Sequence, residues 1–219
     1  MTYVKASVRR PAGNPGNGIQ PKDQLVIYDV DDILSFPPRN DAGVVIEEDI
    51  VMKAGRYAIG IYLTPGTAEI SSNSDGETDA EGYTPSIKFN HPGNEQEIRE
   101  FKTNWLSKKC IVVLRYCSGK PADLIGTPCN PSKLSVSYTG SNESNTNELT
   151  FTQISKGDDI AIYRGTDTLE EPVAVVEAGA TDIDYQTDGQ YQLSAGAAKI
   201  AGVTGGSHGS VSYTHLRAH

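Results

Sequence analysis

The sequence predicts a mainly β protein, a β-barrel or β-sandwich flanked by a single α-helix at about residues 94–108. Turn-forming and β-favouring residues are abundant, with 22 Gly, 12 Pro and 11 Tyr against only two Met. Many short segments alternate apolar and polar residues with a period of two, whereas only one segment has apolar residues at helical spacing. A length of 219 residues suffices for one sizeable β domain with a small addition.

The N-terminal segment, residues 1–22, is rich in Gly, Pro and Asn, which disfavour a regular element. It carries Lys5, Arg9 and Arg10 on an otherwise acidic chain. We therefore predict an extended arm that becomes ordered on a neighbouring subunit, with a disordered tail as the alternative. The main β domain is predicted to follow at residues 23–165.

The first half of this domain has strand patterns separated by turns. Residues 56–64 alternate regularly, with Tyr57, Ile59, Ile61 and Leu63 on one face, which indicates a strand with one face in the core. Three strand regions are predicted before the polar segment that follows: residues 24–30, 44–51 and 56–64.

Residues 65–83 are polar and acidic, and the sequence predicts a long loop here. Its alternating acids suggest calcium, but the spacing lacks the later bidentate Glu of an EF-hand, so a solvated loop is favoured and no metal site is predicted. Long loops in compact domains are usually functional or disordered, and we expect an assembly contact. The residues assigned to this assembly loop are Ser74, Asp75, Glu77, Asp79 and Glu81.

The segment 91–117 contains the one convincing helix and runs directly into the most apolar strand. Asn94 is a suitable N-cap, and Glu97 three residues later predicts a capping box. A helix of this length is unstable alone in water, so its apolar stripe must pack on a sheet. The residues assigned to this stripe are Ile98, Phe101, Trp105 and Leu106.

Strands are predicted on both sides of the helix and in the following hairpin. The strand at 111–117 is almost entirely apolar, which indicates a central strand or one covered on both faces. The remaining predicted strands are residues 86–90, 133–138, 149–154 and 160–163, with a polar turn at 140–148.

Three segments are predicted beyond the main domain. Residues 166–172, TDTLEEP, are interpreted as a linker, and residues 173–210 as a small glycine-rich β appendage. The last nine residues, 211–219 (VSYTHLRAH), resemble a translated sequencing-library adapter, as expected from a short-read metagenomic assembly. On that interpretation the appendage is truncated and the natural chain continues beyond about Ser210.

Charge and hydropathy exclude several classes of function. The formal net charge is −9, and no basic stripe with interleaved aromatics favours sequence-independent nucleic-acid binding. An acidic surface nevertheless suits a conduit through which DNA slides without sticking. No apolar run reaches bilayer length and no signal-peptide core is present, so we expect a soluble cytoplasmic product. The odd number of cysteines, three, favours buried reduced thiols.

No motif indicates an enzyme or a cofactor site. The sequence has no nucleophile elbow, P-loop, Rossmann fingerprint or H-E-x-x-H motif. The abundant carboxylates lie in turns where water can solvate them, although a glycosidase pair needs only two carboxylates that the fold brings together. His91 beside Pro92 is expected to make a local hydrogen bond. Catalysis, cofactors and metals are therefore not predicted.

Residues 89–137 resemble the tail tube, or major tail, proteins of tailed phages and prophages of Bacteroides-type gut bacteria. The resemblance lies in the HPG turn before a helix ending in NWL, the apolar strand ending in YCSG, the LIGTPCNP turn and the LTFTQ hairpin strand. It extends over roughly residues 24–164. Such subunits resemble the tube protein of type VI secretion, which implies a β-barrel with one helix and six copies in a ring.

The resemblance implies stacked rings joined through a long loop and a terminal arm. The implied partners are further copies of this chain and other tail proteins, with DNA only as transiting cargo and no membrane. The implied location is the virion tail, assembled in the cytoplasm of the bacterial host. The alternatives are a head-tail joining or head-decoration protein and, from another class, a carbohydrate-binding, adhesin-like β-sandwich.

Overall fold

The computed structural model describes residues 6–14, 16–142 and 144–169, and the backbone of four short strands beyond them. The chain divides into two units, Met1–Glu170 and Glu171–His219. The first unit is mainly β with a single α-helix among its described residues, which confirms the predicted fold class. Within the same residues, no helix is long and apolar enough to span a membrane.

The first unit consists of strands β1–β12 and helix α1, Gln96–Trp105. A short 3-10 helix, Val30–Asp32, connects the first two strands. The strands are β1 (Pro21–Asp29), β2 (Ile33–Ser35), β3 (Val45–Ile46), β4 (Val51–Met52), β5 (Ile59–Tyr62), β6 (Glu69–Asp75), β7 (Gly82–Pro92), β8 (Cys110–Tyr116), β9 (Ala122–Ile125), β10 (Ser132–Gly140), β11 (Asn145–Gln153) and β12 (Ala161–Tyr163).

Strand β8 is the centre of a ten-stranded sheet. On one side it pairs antiparallel with β1, which pairs in turn with β5. On the other side it pairs with β9 and, at Cys110 opposite Ser132, with the start of β10. Strands β10, β11, β7 and β6 continue the sheet in antiparallel order. Strand β9 also pairs with β12, which carries β3 as a parallel neighbour.

The sheet curls until β5 approaches β7. The Thr64 amide, just after β5, donates to the Asn90 carbonyl of β7 at 2.9 Å. The Tyr62 carbonyl lies 2.9 Å from Nδ1 of His91, which is 29 residues away in the chain, so His91 makes a contact between distant segments instead of the local hydrogen bond expected of it. Strands β8, β1, β5, β7, β11 and β10 thus enclose one core in the manner of a small barrel.

Two hydrophobic cores lie on opposite faces of β1 and β8, because alternate residues of a strand point to opposite faces. Residues 110–114 of β8 are all buried, so this strand is covered on both faces as its composition indicated. The enclosed core contains Leu25, Ile27, Phe89, Val112 and Phe151, among others. The second core contains Val26, Tyr28, Ile111, Val113 and Tyr163, among others.

Helix α1 begins two residues later and ends three residues earlier than predicted, and it has no capping box. Glu95 occupies the N-cap position and makes no side-chain capping bond. Asn94 lies outside the helix, where its carbonyl accepts from Nε of Arg99 at 2.8 Å and its side chain accepts from Lys102 at 3.2 Å. Interactions with residues further along the helix therefore replace the predicted capping bond to the backbone.

The apolar stripe of α1 contains three of its four predicted residues. Ile98 is 4% exposed within the enclosed core, and Phe101 and Trp105 pack against that core. Leu106 was predicted to share the stripe but is 53% exposed. At about 100° per residue it points roughly 80° from Ile98, on the side away from Phe101 and Trp105. It also follows the last helical residue, where the chain turns away.

The predicted long loop at residues 65–83 is a β-hairpin for most of its length. Strand β6 pairs with β7 from Glu69 opposite Lys88 to Asp75 opposite Gly82. The sequence also missed β9, and the single strand predicted at residues 44–51 is two strands with different partners. The hairpin turn predicted at 140–148 is shorter, because β10 and β11 pair as far as Gly140 opposite Asn145.

Two predicted domain boundaries are corrected. Strand β1 begins at Pro21, so the last two residues of the predicted arm belong to the sheet. Residues 166–169 of the predicted linker belong to the first unit, because Leu169 forms a parallel bridge with Ala58 and the Ala58 amide donates to the Thr168 carbonyl at 3.1 Å.

The second unit, Glu171–His219, is described through four three-residue strands. Strand β13 (Ala174–Val176) pairs parallel with β15 (Tyr191–Leu193), and β14 (Asp182–Asp184) pairs parallel with β16 (Gly202–Thr204). These strands lie within the predicted appendage at residues 173–210. The rest of that segment, and the adapter-like residues 211–219, lie outside the described residues.

Candidate assembly surface

The residues assigned to an assembly loop lie at the end of the β6–β7 hairpin. Ser74 and Asp75 are the last residues of β6, opposite Tyr83 and Gly82. Glu77, Asp79 and Glu81 belong to the exposed turn that joins the strands, and their positions are read from residues 76–81. The structure therefore places all five predicted residues together, on a projecting hairpin instead of a long loop.

Gly76 fixes the conformation of this turn. Its φ of +140° is rarely adopted by residues with a side chain. A Cβ atom added there would lie 2.2 Å from the Ala80 carbonyl oxygen. Asp79 has a φ of +70°, which short polar residues tolerate better than most. The turn thus depends on glycine at its start.

The acids of the hairpin differ in their partners. The Asp75 carboxylate lies 3.0 Å from the Lys156 ammonium, which lowers the pKa of Asp75. The other three acids form no ion pair within the described part of the chain. Among those residues, no group of three His, Cys, Asp or Glu side chains is arranged to hold a metal ion. The exposed charge of the turn is therefore available to an external partner.

A segment beyond β11 supports the hairpin from its inner side. Tyr83 and Gly157 exchange two backbone hydrogen bonds, of 2.9 and 3.0 Å. The Ser72 hydroxyl donates to the Asp159 carboxylate, and Arg39 donates to the Asp159 carbonyl at 2.6 Å. These contacts hold the hairpin against the sheet, whereas no described strand pairs with the outer edge of β6.

The described part of the N-terminal arm makes few contacts with its own chain. Residues 6–14 contain no strand or helix and are all exposed. Val8 is 97% exposed, which is unusual for a β-branched apolar residue. Arg9 and Arg10 are also exposed, and neither forms an ion pair with a described residue. Among the described residues of the first unit, the arm and the outer edge of β6 are thus two exposed segments without a backbone partner strand.

The helix is fixed to the sheet by two lysines. Lys102 donates to Asn147 at 2.6 Å, and Asn147, which is fully buried, donates to the Gly93 carbonyl at 2.6 Å. Lys108 pairs with the buried Asp29 carboxylate and lies 5.1 Å from the ring centroid of Trp105. These interactions position the helix on the sheet.

A buried polar cluster, which the sequence analysis did not identify, holds the end of the first unit. The Asp167 carboxylate is 5% exposed and accepts from the Tyr28 hydroxyl at 2.6 Å and from Nε of Arg115. Arg115 also donates to the Gly165 carbonyl at 2.7 Å. Burial and the nearby Asp167 raise the pKa of Tyr28. The apolar run around Tyr28 and Arg115 was visible in the sequence, but their distant partner was not.

The cysteines do not share one environment. Cys110 is buried, and burial raises the pKa of its thiol to about 12. Cys117 and Cys129 are exposed, so the expectation of buried thiols is wrong for these two. All three are free.

Three of the carboxylates in turns, Asp32, Glu47 and Asp49, make structural contacts. Glu47 pairs with Arg164 at 3.0 Å and Asp32 with Arg56 at 3.4 Å. Asp49 accepts from the Thr166 amide at 2.7 Å. Each of these three carboxylates thus connects two segments of the chain.

Comparison of the chain with protein-family models, with curated proteins and with solved structures gives no match. The resemblance in residues 89–137 therefore stands on its motif residues alone. A functional proposal therefore has to rest on these motif residues and on the geometry of the hairpin, the arm and the curled sheet.

Proposed function

We propose that this protein is a virion structural protein, a subunit of a phage tail tube that assembles with copies of itself into stacked rings. DNA passes through the tube as cargo, other tail proteins bind its ends, and the subunit has no catalytic role. The residues with the motif resemblance build the centre of the fold: the turn before α1, the helix itself and the apolar strand β8.

The observation that carries this proposal is the combination of a curled β-structure around an enclosed core with an exposed N-terminal arm and a hairpin whose outer edge pairs with no described strand. The enclosed core and the anchored helix provide a fixed body. The outer edge of β6 pairs with no described strand, and the described residues of the arm are almost all exposed. Such a body with free extensions favours repeated contacts between copies over the binding of a small ligand.

The charge of the chain supports the same proposal. With a formal net charge of −9, the protein lacks the excess of cations that holds nucleic acid by its phosphates. A tube lined by such subunits repels DNA weakly and lets it move.

Size-exclusion chromatography with light scattering tests the proposal on the purified full chain. The expected result is a mass that rises with protein concentration in steps of several subunits. A protein that remains monomeric at every soluble concentration contradicts the proposed function.

A further inference from the structure

Strand β6 is an edge strand with unusually little protection against pairing. It is seven residues long and fully paired with β7 along its inner side. Its charged residues, Glu69 and Asp75, lie at its two ends, and the five residues between them are uncharged and include no proline. Natural edge strands are usually interrupted by charges, prolines or bulges that prevent another strand from adding.

The alternation of hydrogen-bonded and non-hydrogen-bonded pairs along the hairpin shows which backbone groups of β6 face outward. In an antiparallel pair, residues alternately point their N–H and C=O groups toward the partner strand and away from it. Tyr83 exchanges both of its backbone bonds with Gly157, so it points away from β6. Ser74, which lies opposite Tyr83, therefore points its own N–H and C=O away from β7.

Pro85, two residues further along β7 than Tyr83, supports the same assignment of outward-facing groups on β6. Pro85 has no N–H to donate and lies opposite Ser72. By alternation, Ile70, Ser72 and Ser74 all direct their backbone groups to the outer edge. No backbone partner for these groups is found among the described residues. The free edge thus offers three successive donor and acceptor pairs over residues 70–74.

The N-terminal arm offers a segment that can pair with this edge. Residues 6–10, ASVRR, are the described end of a run of ten residues without proline or glycine, which Pro11 ends. The run is exposed and without secondary structure in its own chain. It includes Val8, whose β-branched side chain favours a strand and is almost fully exposed.

The charges indicate a direction for the pairing. Arg9 and Arg10 lie at the C-terminal end of the run. In a parallel orientation they would lie beside the end of β6 and its acidic turn, which carries Glu77 and Glu81. In an antiparallel orientation they would lie beside Glu69, which already pairs with Lys88 at 3.4 Å.

We propose that residues 6–10 of one copy add as a parallel strand to the outer edge of β6 in a neighbouring copy. This inference rests on the self-association in the proposed function and names the segments that produce it. The backbone of Ile70–Ser74 supplies the hydrogen bonds, and Arg9 and Arg10 select the orientation through the acidic turn.

A labelled peptide of residues 2–14 measures the pairing directly by fluorescence anisotropy. The acceptor is the full chain carrying Arg9→Glu and Arg10→Glu, so that its own arm does not compete. We expect saturable binding that Ser72→Pro in the acceptor weakens about tenfold or more, since proline removes an outward N–H without breaking a bond to β7. Ser72→Ala is the matched control, removing only the hydroxyl bond to Asp159, and should bind like the parent.

Charge exchange tests the orientation in the full chain. Arg9→Glu with Arg10→Glu should abolish concentration-dependent association, and Glu77→Lys with Glu81→Lys in the same chain should restore it. Association that survives the arginine reversal, or that the lysines fail to rescue, overturns the parallel pairing.

Mixing two cysteine variants separates a neighbouring copy from the chain's own arm. In a background of Cys117→Ser and Cys129→Ser, one protein carries Val8→Cys and the other Ser72→Cys. Disulfide-linked dimers of the two are expected; a chain carrying both cysteines that closes only on itself overturns the inference. If the full chain associates but does not bind the peptide, the strand pairing is overturned and the proposed function stands. If the full chain does not associate at all, the proposed function itself is contradicted.

Discussion

Trp105 connects the helix to its surroundings through three contacts. It stacks on Phe101 with ring centroids 5.7 Å apart, packs against the enclosed core and lies under the Lys108 ammonium. Trp105→Ala should therefore lower the free energy of unfolding by about 2–3 kcal/mol, measured by urea denaturation. The value is below that of a fully buried aromatic because Trp105 is only half-buried.

Leu106→Ala is the matched control for this prediction. Leu106 is the neighbouring residue but is 53% exposed, so its truncation should change stability by no more than about 0.5 kcal/mol. Equal losses for the two variants would show that Leu106 belongs to the packed stripe after all.

The thiols should separate into two classes in a native-state labelling experiment. Cys117 and Cys129 are exposed, whereas Cys110 is buried with a pKa raised to about 12. Because the thiolate is the reactive form, a chromogenic thiol reagent at mildly alkaline pH should label two cysteines rapidly. The third should react only when the protein is denatured; three fast thiols would contradict the position of Cys110.

Alkaline pH should destabilise the first unit. The pKa of Cys110 is raised by burial from 9.0 to about 12, and burial also raises the pKa values of Tyr28, Tyr116 and Tyr163. A raised pKa means that the folded state keeps its proton more tightly than the unfolded state. The stabilising contribution is complete below about pH 9 and is lost as pH rises through the folded pKa values.

Urea denaturation at a series of pH values measures this loss. Tyr28→Phe removes one of the titrating groups and its bond to Asp167, so it should lower stability at neutral pH by about 1 kcal/mol and make the alkaline decline shallower. An alkaline decline that is unchanged in Tyr28→Phe would mean that this phenol ionises normally.

At the scale of elements, the sequence predicted those helices and strands whose apolar residues recur with a clear period. Strand β8 and the stripe of α1 were predictable because apolar side chains at a period of two or 3.6 have to be buried. Strand β6 was missed because its residues are mainly polar and only Ile70 marks a core face. Its strand conformation comes from pairing with β7, which local sequence does not encode.

The polar cluster at the end of the first unit was unpredictable for a related reason. Asp167 contacts Tyr28 and Arg115, which are 139 and 52 residues away in the chain. An acidic segment before a proline has the composition of a linker, and only the fold shows that its carboxylate is buried. The residues assigned to an assembly loop lie together at the end of the β6–β7 hairpin and not in a long loop, and their role in assembly stays a prediction.

A pair of truncations tests the corrected boundary between the units. A chain of residues 1–170 retains Asp167 and Leu169, whereas a chain of residues 1–165 loses both. We expect the shorter chain to be less stable by about 3 kcal/mol or more, because it leaves the Arg115 charge without its partner and uncovers Ala58. Equal melting curves would restore the linker interpretation of residues 166–169.

At the scale of the whole molecule, the first unit combines a packed body with two extensions whose exposed edges have no partner strand among the described residues. The body is the enclosed core with its anchored helix, and the extensions are the edge strand of the β6–β7 hairpin and the arm. Because the two extensions lie at different places on the chain, pairing between them links copies head to tail. Head-to-tail contacts close into rings when the rotation between copies permits.

Electron microscopy of the purified full chain tests the central claim most directly. The account predicts rings with a central hole, or tubes of stacked rings, in two-dimensional averages of negatively stained particles. Uniform particles of single-subunit size, at concentrations where light scattering also reports a monomer, would contradict it.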